Sequence, residues 1–140
     1  MTETGLNGYL LEDQIGFRLR VANQRHLEIF AANTGDVTPM QFSTLIKLKE
    51  VGVMSQNHLG RLVAMDAATT KGVIDRLRKK GYLTTVPSTT DLRRLDISLT
   101  PLGDAFVTSL IPVAQQISEQ TTRNLTAREA RQLLTLLEKL

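Results

Sequence analysis

The 140-residue sequence contains no cysteine and no tryptophan, and aromatic residues make up only 4% of it. The missing thiol excludes disulfides, thiolate zinc sites, a cysteine nucleophile and a thiol peroxide sensor before any motif is weighed. No apolar run approaches the length that spans a bilayer. The N-terminal MTETGLNGYLLEDQ lacks the basic start and apolar stretch of a signal peptide, so a cytoplasmic setting without a membrane partner is expected. Enzyme signatures are missing too: there is no glycine-rich phosphate loop and no HExxH pair, and His26 and His58 lie far apart in the chain. Asp13, Glu28 and Glu50 are scattered, and solvated helix faces account for them. No catalytic activity, metal or cofactor is therefore expected.

What remains is an ordinary core-forming composition, 41% apolar and 22% charged, in a length that suits one domain. The net charge of +3 is a weak argument for a polyanionic partner until its distribution is read. Between Asp66 and Arg94 seven basic residues face three acidic ones, a local +4, which leaves −1 for the rest of the chain. A basic middle between near-neutral flanks points to one polyanion-facing surface carried on a scaffold with another task.

The positions Leu11, Ile15, Leu19, Ala22, His26 and Ile29, apolar but for the histidine, recur at steps of three or four, predicting one long amphipathic helix that ends near Asn33-Thr34-Gly35. Thr38-Pro39-Met40-Gln41 reads as the next helix start, with threonine as cap, proline in the first turn and glutamine closing a capping box. Phe42, Leu45 and Ile46 form its buried side. Ser55 caps a short helix whose Leu59, Leu62 and Val63 point inward. After a break at Ala64-Met65-Asp66 a further helix buries Thr70, Val73, Ile74 and Leu77, while Thr69, Gly72, Arg76 and Lys79 line its other side. Lys79-Lys80-Gly81 closes it. Residues 83–86 and 95–99 read as strands around a polar hairpin tip. Thr100-Pro101 restarts a helix with a stripe of Leu102, Ala105, Phe106, Leu110, Val113 and Ile117, which Pro112 is expected to kink. Thr126-Ala127-Arg128-Glu129 opens a last helix with Ala130, Leu133, Leu134, Leu137 and Leu140 on one face.

This order predicts a single domain, mainly α with a small β-hairpin wing. It is a winged helix-turn-helix over residues 35–99, with the N- and C-terminal helices (1–34 and 100–140) forming a dimerisation region. A recognition helix needs small or polar groups near its N-terminus for base edges and cations further along for phosphates. Thr69 and Lys71 are the base-reading candidates, with Thr70 beside them on the apolar side. Arg76 and Lys79 suit phosphates, and Ser55 joins them at the start of the preceding helix. Arg93 and Arg94, in the hairpin tip, are placed to enter the minor groove. Asp91, repelled by phosphates, is expected to orient a neighbouring arginine, though a turn-forming role also fits.

GVIDRLRKKGYL, Asp91-Leu92-Arg93-Arg94 and LDISLTPLG together resemble the MarR family of bacterial regulators, and the resemblance spans nearly the whole chain. It implies a homodimer of triangular outline with interlocked terminal helices and two winged domains on a pseudo-palindromic, double-stranded operator. It also implies a small ligand that releases DNA from a site between the dimerisation and DNA-binding regions. The separated apolar helices at the two ends of the chain agree with a dimer, and two-fold symmetry calls for an inverted-repeat operator.

Arg18, Arg25 and His26 lie on or beside the inward stripe of the first helix, near Ile29 and Phe30. Cations beside aromatic and methionine side chains suit an aromatic carboxylate, with Phe30, Met40 and Phe42 as walls. Regulators of aromatic-acid degradation in the same family respond to such acids or to aryl-coenzyme A thioesters, whose phosphates Arg18, Arg20 and Arg25 would meet. Interface pairing is the competing and more ordinary reading of each arginine and of the histidine, and core packing that of the phenylalanines and methionine. The function expected is a ligand-responsive repressor. The alternative is a winged-helix adaptor that binds protein or RNA without operator specificity.

Overall fold

The computed structural model describes residues 5–140, which fold in the order α1 (Ile15–Thr34), α2 (Pro39–Val51), β1 (Met54–Ser55), α3 (Gln56–Leu62), α4 (Ala67–Lys79), β2 (Leu83–Pro87), β3 (Leu95–Leu99), α5 (Pro101–Thr121) and α6 (Ala127–Glu138). The first helix does not begin at Leu11: a single 3-10 turn occupies Leu11–Asp13, and α1 starts at Ile15. None of the described helices is long and apolar enough to cross a membrane.

The chain forms two compact units. Thr34–Gln115 is one; the segment up to Asn33 together with Gln116–Leu140 is the other. The larger unit therefore runs past residue 99 into α5. Val107 explains why, since it is fully buried in the same cluster as Leu45, Leu48, Leu59, Val73, Ile74, Leu77, Leu83 and Ile97. Phe106 stacks flat on Tyr82 with ring centroids 4.3 Å apart. The α5 stripe read in sequence holds at Phe106, Leu110, Val113 and Ile117, which are half-buried or buried, whereas Leu102 and Ala105 are exposed and Val107, not in that stripe, is fully buried. The helix continues unbroken through Pro112.

The helix ends follow side-chain chemistry. Thr38 accepts a bond from the Gln41 amide while the Gln41 side chain reaches back to the Thr38 amide, and Thr126 with Glu129 does the same for α6. Gly35 and Gly81, at φ +67° and +83°, supply the left-handed turns that end α1 and follow α4. Thr100 joins the hairpin to α5, donating to the Gly81 carbonyl at 2.6 Å and accepting from the Gly103 amide at 3.0 Å.

The sheet has three antiparallel strands in the order β1-β3-β2, one more than the hairpin read in sequence. Met54 pairs with Ile97 and Ser55 with Asp96, so the two residues before α3 are held against the wing. Across the hairpin, Leu83 faces Leu99 and Pro87 faces Leu95. The helix-turn-helix itself is tight. A Cβ on Gly60 would fall 2.7 Å from the Thr70 hydroxyl oxygen, so α3 and α4 meet at a point where only glycine leaves room. Leu62, placed inward by its spacing, is exposed instead at the last residue of α3.

The smaller unit buries Phe30 and Ile117, yet Leu6, Leu10, Leu11, Ile15 and Leu19 are exposed, as are Leu133, Leu134, Leu136, Leu137 and Leu140.

Candidate nucleic-acid interface

Helix α4 devotes Thr70, Val73, Ile74 and Leu77 to the core and leaves Lys71, Arg76, Arg78 and Lys79 exposed. Its start is set by Asp66, whose carboxylate accepts from the Thr69 amide at 2.7 Å. That bond is the main reason the Asp66 carboxyl lies below its usual 3.8. Thr69 is half-buried on the first turn. Lys71 is exposed but tied to Asp75 at 2.8 Å, a bond that also holds the Asp75 carboxyl below its usual value. Arg76 lies back along the helix, its guanidinium 3.8 Å from where a Gly72 side chain would begin. Two members of the sequence-derived set belong elsewhere. Thr70 is 1% exposed and donates to the Asp66 carbonyl at 2.7 Å, so its hydroxyl is spent inside the fold. The hydroxyl of Ser55 accepts from the His58 amide and caps α3, which gives that side chain a structural task.

The wing is a braced hairpin. Ser88 is buried at its neck, its amide donating to the Arg94 carbonyl at 3.0 Å and its hydroxyl accepting from the amides of Thr90 and Asp91. The Asp91 carboxylate accepts from both the amide and the Nε of Arg93, at 3.0 and 3.2 Å, and the amide bond in particular holds its carboxyl below 3.8. The Asp91 carboxylate thus meets the side chain of the arginine two residues on, and its bond from the Arg93 amide is also the turn-forming contact that the sequence allowed. The two arginines part company here. The Arg93 side chain is 91% exposed, whereas Arg94 turns back, its Nε donating to Asp96 at 3.0 Å and its Nη2 to Ser88 Oγ at 3.2 Å. Asp96 is buried on β3, so Arg94, 45% exposed, is tied back to the wing, where the sequence reading had placed both arginines alike in the tip.

The effector candidates divide between the units. Met40, exposed, and Phe42, half-buried, belong to α2. Arg18, Arg20, Arg25, His26 and Phe30 belong to α1. Arg25 donates to the Gln120 carbonyl at 3.1 Å and His26 Nδ1 lies 2.9 Å from the Thr121 hydroxyl, so both tie α1 to the end of α5. The His26 ring sits 6.2 Å from that of Phe30. Arg18 donates to the Glu12 carbonyl at 2.6 Å. Arg20 is on another face, lining an open groove of about 640 Å³ with Gln24, Leu27 and Ala31. Among the described residues no cluster of His, Asp and Glu has the makings of a metal site.

A family model described as MarR family matches residues 37–95, the stretch that holds α2 to the start of β3. Over 134 residues the chain is 37% identical to the HTH-type transcriptional repressor NicR of Pseudomonas putida, covering 94% of this chain and 85% of NicR. The chain belongs to the MarR family. MarR-family proteins are transcriptional regulators that act by binding DNA, not enzymes. Solved structures agree with the fold as well. A probable transcriptional regulator from Pseudomonas aeruginosa is 44% identical, with a TM-score of 0.90 over 93% of this chain and 98% of that one. The Bordetella bronchiseptica protein BpsR, whose DNA binding is regulated by 6-hydroxynicotinic acid, is 34% identical, with a TM-score of 0.89 over 94% and 95% of the two chains.

In this MarR-family chain the sequence reading missed three polar groups, Gln56, Asn57 and Arg61. They line a cleft of about 220 Å³ between α3 and the start of α4. A cation and two amides beside a recognition helix are suited to phosphate. The only sequence signal for them was their place on a capped helix next to α4. Ser88 and Asp96 were missed because the hairpin register alone brings them to Arg94.

Proposed function

We propose that the protein is a homodimeric transcriptional repressor that binds an inverted-repeat operator and is released from it by a small aromatic carboxylate. The observation that carries the DNA half of this reading is the division of labour on α4. Its large apolar residues Val73, Ile74 and Leu77 are used in the core, its exposed charged side chains are the cations Lys71, Arg76, Arg78 and Lys79, and the wing carries an exposed arginine. The family supplies the regulatory context, and the name of NicR favours repression over activation. The exposed leucines of the segment before residue 34 and of α6 favour a second copy as the cover for that surface.

The effector class rests on BpsR, which responds to a pyridine carboxylic acid, and on the cations of α1. Arg25 and His26 lie about one turn from Phe30 on α1, with the His26 ring 6.2 Å from it, a combination suited to a ring bearing a carboxylate; Arg18, nearer the start of the helix with its guanidinium 6.0 Å from the Phe17 ring, is the further cation of the proposal. Arg20, on another face, is needed only if the signal is a coenzyme A thioester with phosphates of its own. The test is to bind the protein to its selected duplex and titrate in 6-hydroxynicotinate, benzoate-type acids and their coenzyme A thioesters. Release by a free acid, with Arg18→Ala retaining DNA binding but losing release, supports the reading. Loss of dimerisation in Arg18→Ala instead makes the arginine an interface residue, and indifference to every acid and thioester removes the proposed effector class.

A further inference from the structure

Leu92 is 95% exposed, the most exposed large apolar side chain among the described residues, and it stands at the tip of the wing between Asp91 and Arg93. A single exposed leucine on a surface is unremarkable, but this one is held out by the fold. On one side the Asp91 amide is bound to Ser88 Oγ at 3.2 Å; on the other the Arg93 amide is bound to the Asp91 carboxylate at 3.0 Å. The Arg94 amide closes the turn on the Asp91 carbonyl at 3.0 Å. With the backbone on both sides committed, Leu92 has no packing partner of its own in the wing, and its neighbour Arg93 is 91% exposed beside it.

We infer that Leu92 and Arg93 enter the minor groove together, the arginine answering its negative potential and the leucine packing against its deoxyribose walls. The inference rests on the operator-binding reading and adds a contact and a source of specificity to it. Charge complementarity fixes the occupant: the tip carries the exposed Arg93, and the same compact unit carries the exposed Lys71, Arg76, Arg78 and Lys79 of α4, a setting that favours a polyanion over a protein surface. The groove is narrow and lined by the C–H edges of the sugars, so it offers an apolar side chain what phosphates do not. The 2-amino group of guanine projects into that groove and obstructs it, so a leucine there disfavours G·C pairs.

The experiment uses the duplex that the full chain selects from a random library, resynthesised with the base pairs under the wing as A·T, G·C or inosine·C. Inosine·C presents the major groove of G·C without the minor-groove amino group. The wild-type chain should bind A·T and inosine·C alike and G·C roughly three- to tenfold more weakly. Leu92→Ser should lose roughly three- to tenfold on A·T and inosine·C, flattening that preference, with an unchanged salt dependence because no charge is lost. Leu92→Ile should keep wild-type behaviour. Leu92→Ser equal to wild type on all three duplexes overturns the wing contact while leaving the regulator reading intact. A wild-type chain that selects no duplex overturns the regulator reading, and the wing contact with it.

Discussion

At the scale of single residues, the wing shows how neighbouring arginines acquire different roles from their partners. Arg93 is held by Asp91 and presented outward; Arg94 is bonded to Asp96 and Ser88. Arg93→Ala should lower operator affinity and reduce the slope of log affinity against log salt by about one. Asp96→Ala discriminates the role of its partner through the sign of the effect. Removing a carboxylate near phosphates strengthens binding on charge alone, whereas loss of the Arg94 brace weakens it. Fluorescence anisotropy should show weaker binding for both Arg94→Ala and Asp96→Ala, and a gain in Asp96→Ala would make Arg94 a direct contact. The lowered carboxyls of Asp66 and Asp91 have a sign of their own. Each contributes stability that is present above 3.8 and lost as pH falls through its lowered folded value. Carboxyl NMR titration should place both midpoints below 3.8, and neither should make operator binding pH-dependent near neutrality. Gly103 is a further residue fixed by sterics, because a methyl there would fall on the Tyr82 carbonyl. Gly103→Ala should destabilise the chain by about 1–3 kcal/mol in urea unfolding.

At the scale of elements, what the sequence revealed depended on whether the signal was local. Capping boxes at Thr38 and Thr126, the apolar face of α4 and the turn at Gly81 are complete within a few residues, and each is found in the fold. Strand β1 has no such signal, being two residues long and existing only through pairing with β3. The Arg94 brace needs the hairpin register, which no short window specifies. The α5 stripe was right from Phe106 onward and wrong at its start, because Leu102, Phe106, Val107, Leu110 and Ile111 allow more than one apolar face; only packing against the helix-turn-helix selects Val107 over Leu102. Of the candidate DNA set, exposure distinguished Arg76, Lys79 and Arg93 from the buried Thr70. Leu77 is central to the α4 face, and Leu77→Ala should cost about 2–5 kcal/mol in chemical denaturation.

For the molecule as a whole, the larger unit has its own core, while the smaller carries exposed leucines on α6 and before residue 34. Covering them with a second copy accounts for an amphipathic α6 whose leucines are otherwise unused. Sedimentation should therefore give a dimer, and Leu134→Glu should shift it toward monomer and weaken operator binding together. The central claim, that two recognition helices read a symmetric operator, is tested most directly by selecting binding sites from a random duplex library with the purified protein at two salt concentrations. The account predicts an enriched inverted repeat whose half-sites are centred about one helical turn apart, roughly 34–36 Å. Salt-sensitive binding with no enriched sequence would contradict it.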